Sequence, residues 1–231
     1  MARNRLNPWP SVADLFSALT VTAFASLIFV TIGAVIVDDN KKIEIKAVQE
    51  LANIFKAQYQ GGKDHQITVH QCEDREGDQC IEMQFRFVPS LSDLHVDGID
   101  QVNEACRVYK DSVEKVMQQM KAKNLAFDRS SLVLVIEGHT DDRIPPALKG
   151  EREQFLYNWK LSSERAASVL YQFDKCGVSQ KTGFRVTSVG LANTAQFCND
   201  PNPDTKCHEQ NRRTTLRIRV ERHIDLGKHS P

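Results

Sequence analysis

Three short segments concentrate the side chains able to do chemistry: GHTDDR at 138–143, YNWKLSSERA at 157–166 and NRRTTLRI at 211–218. His139, Thr140 and Asp141 close an apolar run that reads as a strand, and Asn158, Ser162 and Arg165 open a stretch with helical spacing. Strand ends and helix starts commonly frame ligand sites in α/β folds. Asp141 has the charge to hold an ammonium group, and Arg165 has the planar fork that holds a carboxylate in two hydrogen bonds. Together they suit a zwitterionic group. The plainer alternative is a structural Asp141–Arg165 salt bridge with Ser162 as a solvated helix residue. Nothing hydrolytic accompanies them: His139 has no nucleophile in a recognisable motif, and Asp141 and Asp142 point to opposite sides of an extended chain. The expectation is a binding protein, not an enzyme.

A further acid, Asp14, lies in SVADLFSALTVTAFASLIFVTIGAVIV at 11–37. Ser11 and Asp14 form S-x-x-D ahead of an apolar run, a capping pattern in which the acid sits well near the positive end of a helix. Asp14, Ala18, Thr22 and Ser26 also recur every four residues, a stripe of small or polar groups that suits helix packing inside a membrane. An acid on such a face takes up and releases an ion. Both readings stand at this level.

The elements that must position these groups are legible from hydropathy. Residues 15–37 are 23 residues without a formal charge, and roughly 20 suffice to cross about 30 Å of hydrocarbon. This run is too long for the apolar part of a cleaved signal and has no small-residue cleavage site after it. Arg3 and Arg5 precede it and Asp38 and Asp39 follow it, which places the N-terminus in the cytoplasm and the rest of the chain outside the inner membrane of a bacterium. All six cysteines lie beyond the helix, where disulfides persist. Closeness suggests Cys72–Cys80 and Cys198–Cys207, which leaves Cys106–Cys176; no CxxC spacing points to a metal. With 30 basic and 30 acidic residues, no global charge recruits nucleic acid.

Beyond the spanning helix, Ile43, Ala47, Val48, Leu51, Ile54 and Phe55 recur at helical spacing, so a short amphipathic helix continues from or follows it. ITVHQ at 67–71 and IEMQFRF at 81–87 alternate as a hairpin. A helix of about 25 residues follows, marked by Ile99, Val102, Cys106, Val113, Val116, Met117 and Met120. Then come a strand at 131–138, a helix at 158–176, a strand at 184–190, a loop at 193–210 and a strand at 214–222. The organisation is a cytoplasmic N-terminus (1–11), a transmembrane helix (12–37), a juxtamembrane helix or linker (38–66), a folded domain (67–223) and a tail (224–231). The expected fold class is a single N-terminal transmembrane α-helix plus a periplasmic α/β sandwich with helices packed on one face of a mixed sheet.

In order and residue type, the three polar segments resemble the OmpA-like peptidoglycan-binding domain, whose pattern runs GHTD, N-x-x-LS-x-x-RA, NRR. The resemblance covers roughly residues 85–222. It implies that Asp141 and Arg165 grip the amine and carboxylate of diaminopimelate in the wall's peptide stem. Thr140, Tyr157, Asn158, Leu161 and one of Arg212 or Arg213 would shape the pocket. The chain departs from the pattern in an insertion, RIPPALKGEREQFL, and in the cysteine-bearing loop before NRR.

VADLFSALTVTAF, joined to such a domain, is similar to the opening of the B subunit of flagellar-type (MotB-like) ion-driven stators. That resemblance implies that Asp14 is the ion-carrying carboxylate, with Thr22 and Ser26 as possible channel lining. It further implies a homodimer of B subunits inside a pentamer of A subunits, with no cofactor; between proton and sodium, which the sequence does not distinguish, the proton is the favoured ion. Only 29 residues separate position 37 from the expected strand at 67. This short connection resembles the B component of the Zorya anti-phage defence motor more than a flagellar stator with its plug and long linker. A flagellar stator subunit and a passive tether to peptidoglycan are the alternatives.

Overall fold

A computed structural model describes residues 9–59, 67–88, 91–125, 127–194, 196, 198 and 205–221. Most of the expected cytoplasmic N-terminus, residues 60–66 of the expected linker and the tail at 224–231 lie outside the described residues. The chain divides into two units, Met1–Ile43 and Glu44–Pro231. Helix α1 (Trp9–Gln58) begins in the first and ends in the second. The amphipathic helix therefore continues from the apolar one without a break.

In the first unit, Leu15, Phe16, Leu19, Phe24, Ile28 and Phe29 are all exposed. The helix is long and apolar enough to cross a membrane. Its hydroxyls satisfy themselves within the helix: Thr22 Oγ1 donates to the carbonyls of Ala18 (3.0 Å) and Leu19 (2.9 Å), and Ser26 Oγ to that of Thr22 (2.8 Å). Such back-bonding lets a polar side chain sit in an apolar environment.

The second unit is built on a five-stranded sheet of order β1-β2-β5-β3-β4. Its strands are β1 (Thr68–Gln71), β2 (Gln79–Met83), β3 (Leu132–Gly138), β4 (Arg185–Gly190) and β5 (Thr214–Val220). β3 and β4 are parallel and every other pair is antiparallel. The parallel pair requires a crossover, which α3 (Glu151–Cys176) supplies. Helix α2 (Val96–Ala122) packs beside α3 over the sheet, where Tyr109 meets Phe173 and Phe184 in a buried aromatic cluster. Ala47, Val48, Leu51, Ala52 and Phe55 of α1 are buried in this unit as well, and Ile54, Ala57 and Gln58 face Lys115, Gln118 and Gln119 of α2 across a shallow cavity. The end of α1 thus belongs to the folded domain and is not a free linker.

The cysteines pair as expected, Cys72–Cys80, Cys106–Cys176 and Cys198–Cys207. Three boundaries differ from the sequence reading. β2 stops at Met83, well short of residue 87, because the backbone of Arg86 is claimed by the start of α2: its N–H donates to Gln101 Oε1 (3.1 Å) and its carbonyl accepts from His95 N–H (3.0 Å). α3 begins at Glu151, not 158. Glu151 and Glu153 in its first turn favour the positive helix end, so the last six of the insertion's fourteen residues are helical. Within the expected loop at 193–210, Thr205–Asn211 form a short helix, α4.

Candidate functional site

Position 138 decides where α3 can lie. A Cβ on Gly138 would sit 2.1 Å from the carbonyl oxygen of Ser162, and one on its parallel partner Gly190 would sit 2.3 Å from Ser163 Oγ. Two glycines at the ends of adjacent strands therefore let the helix come down onto the sheet at Ser162 and Ala166. Ser162 is fully buried, donates to the carbonyl of Trp159 (3.0 Å) and accepts the N–H of Ala192 (3.0 Å). It is a structural pin, not a solvated residue. Ala192 adopts a positive φ of 50°, an uncommon conformation for a residue with a side chain. It is held there by that bond and by the N–H of Thr140, which donates to its carbonyl (2.9 Å).

This clamp sets the three polar segments around one point. Thr140, Asp141 and Asn158 are buried, and Tyr157, Leu161 and Arg165 are half-buried. Asn158, Leu161 or Ser162, and Arg165 follow the three- and four-residue spacing of one helix face. Asp141 and Arg165 form no direct ion pair. Asp141 Oδ2 instead takes Arg143 Nε and Nη2, both at 2.7 Å, with Arg212 Nε at 3.5 Å and His208 Nδ1 at 3.9 Å. His208 also lies 3.3 Å from Asp142, so the two aspartates share a neighbour despite their different burial. Arg165 donates from Nε to the carbonyl of Leu91 (3.2 Å) and stacks over Phe87, 5.0 Å from the ring centroid. The simple structural salt bridge is thus absent.

Burial, and secondarily Arg212, hold the Arg165 guanidinium below its ordinary range, while Tyr157 and Asp141 pull the other way. A desolvated cation beside a second cation gains when an anion arrives. Thr140 Oγ1 and Asn158 Oδ1 are buried atoms without a hydrogen-bond partner among the described residues. Orphaned polar atoms of this kind call for an explanation, and a bound polar ligand supplies one.

Arg213 goes elsewhere. Its Nε reaches Glu82 Oε2 at 2.5 Å, and Glu82 also accepts from Thr215 Oγ1 (2.7 Å). This pair belongs to a second polar cluster, around a cavity of about 600 Å³ lined by Glu82, Glu137, His139, Arg213, Thr215 and Arg217. His139 is buried there, with Nε2 3.1 Å from Thr215 Oγ1. Of the two arginines in NRR, Arg212 is the one at Asp141.

Sequence reasoning named Thr140, Asp141, Tyr157, Asn158, Leu161, Arg165 and Arg212, but did not assign Arg143, His208, Phe87 or the Leu91 carbonyl to the site. Arg143 was visible in GHTDDR. The others had no local signal. His208 and Arg212 are presented by α4 and its end, which the Cys198–Cys207 bridge and two hydrogen bonds between the Asn211 amide and the Cys198 backbone (2.9 and 3.0 Å) hold in place.

The arrangement of sheet, crossover helix and capping loop has a counterpart in a MotB-like protein from Desulfovibrio vulgaris. That structure is 20% identical, covers 78% of this chain and 99% of its own, and superposes with a TM-score of 0.53. The chain has the fold of a MotB-like protein. Two further structures are similar at lower TM-score. The periplasmic domain of Helicobacter pylori MotB is 13% identical over 70% of this chain and 82% of that one, with a TM-score of 0.47. The cell wall anchor of the T6SS from Pseudomonas aeruginosa is 21% identical over 77% and 99%, with a TM-score of 0.45. No protein-family model matches the chain, and no curated protein does.

Proposed function

We propose that this protein is the wall-anchored B-type subunit of an ion-driven motor in the bacterial inner membrane. The domain of the second unit grips peptidoglycan through the diaminopimelate of its peptide stem. The observation that carries the reading is the site at the end of β3. There a buried carboxylate and a desolvated guanidinium, supplied by GHTD and LS-x-x-RA, stand among buried polar atoms that lack partners. Such a site holds an ammonium and a carboxylate at once. It offers charge pairing and orientation, and the buried His139 is kept neutral in the neighbouring cluster, with a pKa lowered to about 3.

The α1 stripe of Asp14, Ala18, Thr22 and Ser26 supports the motor half of the proposal. Two such chains would stand within a pentamer of A-type subunits, and protons would pass by way of Asp14. The Zorya defence motor is the favoured setting, supported by the short stretch between the apolar part of α1 and β1.

Wall binding is tested by sedimentation with purified diaminopimelate-type peptidoglycan. Arg165→Ala removes one charged hydrogen-bonding partner and is expected to cost about 1.5–3 kcal/mol, roughly a 10- to 150-fold loss of affinity. Sedimentation equal to that of the unmodified chain would refute the assignment.

A further inference from the structure

Arg143 stands where a ligand's ammonium should be. Its Nε and Nη2 both lie 2.7 Å from Asp141 Oδ2, the closest charged contacts that carboxylate has. Asp141 is buried and Arg143 is half exposed, with no other ion pair or hydrogen bond among the described residues. It precedes Pro145 and Pro146 in a segment outside any helix or strand, so its side chain is tied to the site through Asp141 alone. With Arg143 docked, two aspartates (141 and 142) face three arginines (143, 165 and 212). That balance draws in a carboxylate but opposes an ammonium.

We propose that Arg143 is an internal competitor that sets the charge requirement of the wall site. The ligand's carboxylate engages Arg165 and Arg212, and its ammonium takes Asp141 only by displacing the Arg143 guanidinium. A ligand with a carboxylate but no amine leaves Arg143 in place and forgoes the second anchor. The competitor therefore shuts out an amine that brings no carboxylate for Arg165 and Arg212, at a cost in affinity for the zwitterion as well, since specificity can be obtained by disfavouring the wrong ligand. This inference rests on the wall-binding reading of Asp141 and Arg165.

The test uses the full chain in lipid nanodiscs and titrates it with a soluble stem tripeptide ending in diaminopimelate. Arg143→Gln removes the competing charge and is expected to bind about two- to fivefold tighter, the range of a partly exposed ion pair. Arg143→Lys keeps the charge and should stay near the unmodified chain. The Arg143 Nε–Hε resonance of the unmodified chain should shift on adding the tripeptide, and stay unmoved when the tripeptide's side-chain amine is acetylated. If Arg143→Gln binds no tighter, or the resonance does not respond to the free amine, while Asp141→Asn and Arg165→Ala both weaken binding about tenfold or more, the competitor is overturned and the wall site stands. If Asp141→Asn and Arg165→Ala bind like the unmodified chain, the wall site itself falls and the competitor with it.

Discussion

Glu137 and His139 lie 3.9 Å apart and are displaced in opposite directions. Burial raises the Glu137 carboxyl from 4.5 to about 7 despite the nearby Arg217 guanidinium, 2.7 Å away. Burial, with Arg213 and Arg217, lowers the His139 imidazole from 6.5 to about 3. A carboxyl raised on folding contributes stability below pH 4.5 that is lost as pH climbs through 7. An imidazole lowered on folding contributes stability above pH 6.5 that is lost as pH falls toward 3. Between pH 4.5 and 6.5 the two slopes oppose each other. Glu137→Gln removes the falling slope, so the variant should gain on the order of 1–3 kcal/mol across that interval while the unmodified chain stays nearly flat. Urea unfolding at three pH values reads this directly, and a variant as flat as its parent would show that His139 does not titrate as described. At this scale the sequence named Thr140, Asp141, Asn158 and Arg165 because their types recur in a motif. It could not choose between Arg212 and Arg213, since adjacent strand-entry residues point opposite ways and only the turn out of α4 decides which meets Asp141.

At the scale of elements, the site depends on how closely α3 approaches the sheet. Gly138→Ala would drive a Cβ to 2.1 Å from a backbone carbonyl, which no side-chain rotation relieves. The helix must lift, carrying Asn158 and Arg165 away from Asp141. The expected loss is about 1–3 kcal/mol of stability in denaturant unfolding, together with weakened wall binding. Unchanged stability and binding would mean that the approach is not a constraint. The long helices and the β3, β4 and β5 strands were readable because hydropathy repeats with the period of the element. The early start of α3 and the existence of α4 were not. Both lie in segments rich in Pro, Asn, Asp or charged residues, without an apolar period, and a seven-residue helix is stabilised by the disulfide and the Asn211 amide rather than by its own propensity.

For the whole molecule, the proposed motor role turns on Asp14. Asparagine matches aspartate in size but does not carry a proton, so Asp14→Asn in the chain co-expressed with its A-type partner should abolish ion flux. Membrane insertion and peptidoglycan sedimentation should be unaffected. A variant with undiminished flux and undiminished protection against phage would reduce Asp14 to a helix cap and the protein to a tether.

The sequence by itself determined the apolar helix, from 23 consecutive uncharged residues, the alternating strands and the two short-range cysteine pairs. Each is set by side chains within a few positions of one another. Tertiary structure alone decided that the end of α1 is buried in the domain, that Ser162 is a buried pin, that Arg213 joins Glu82 and that Arg143 occupies Asp141. These depend on close approach between segments far apart in the chain and on loop paths without periodicity. A charged side chain takes whichever partner the fold brings within about 4 Å.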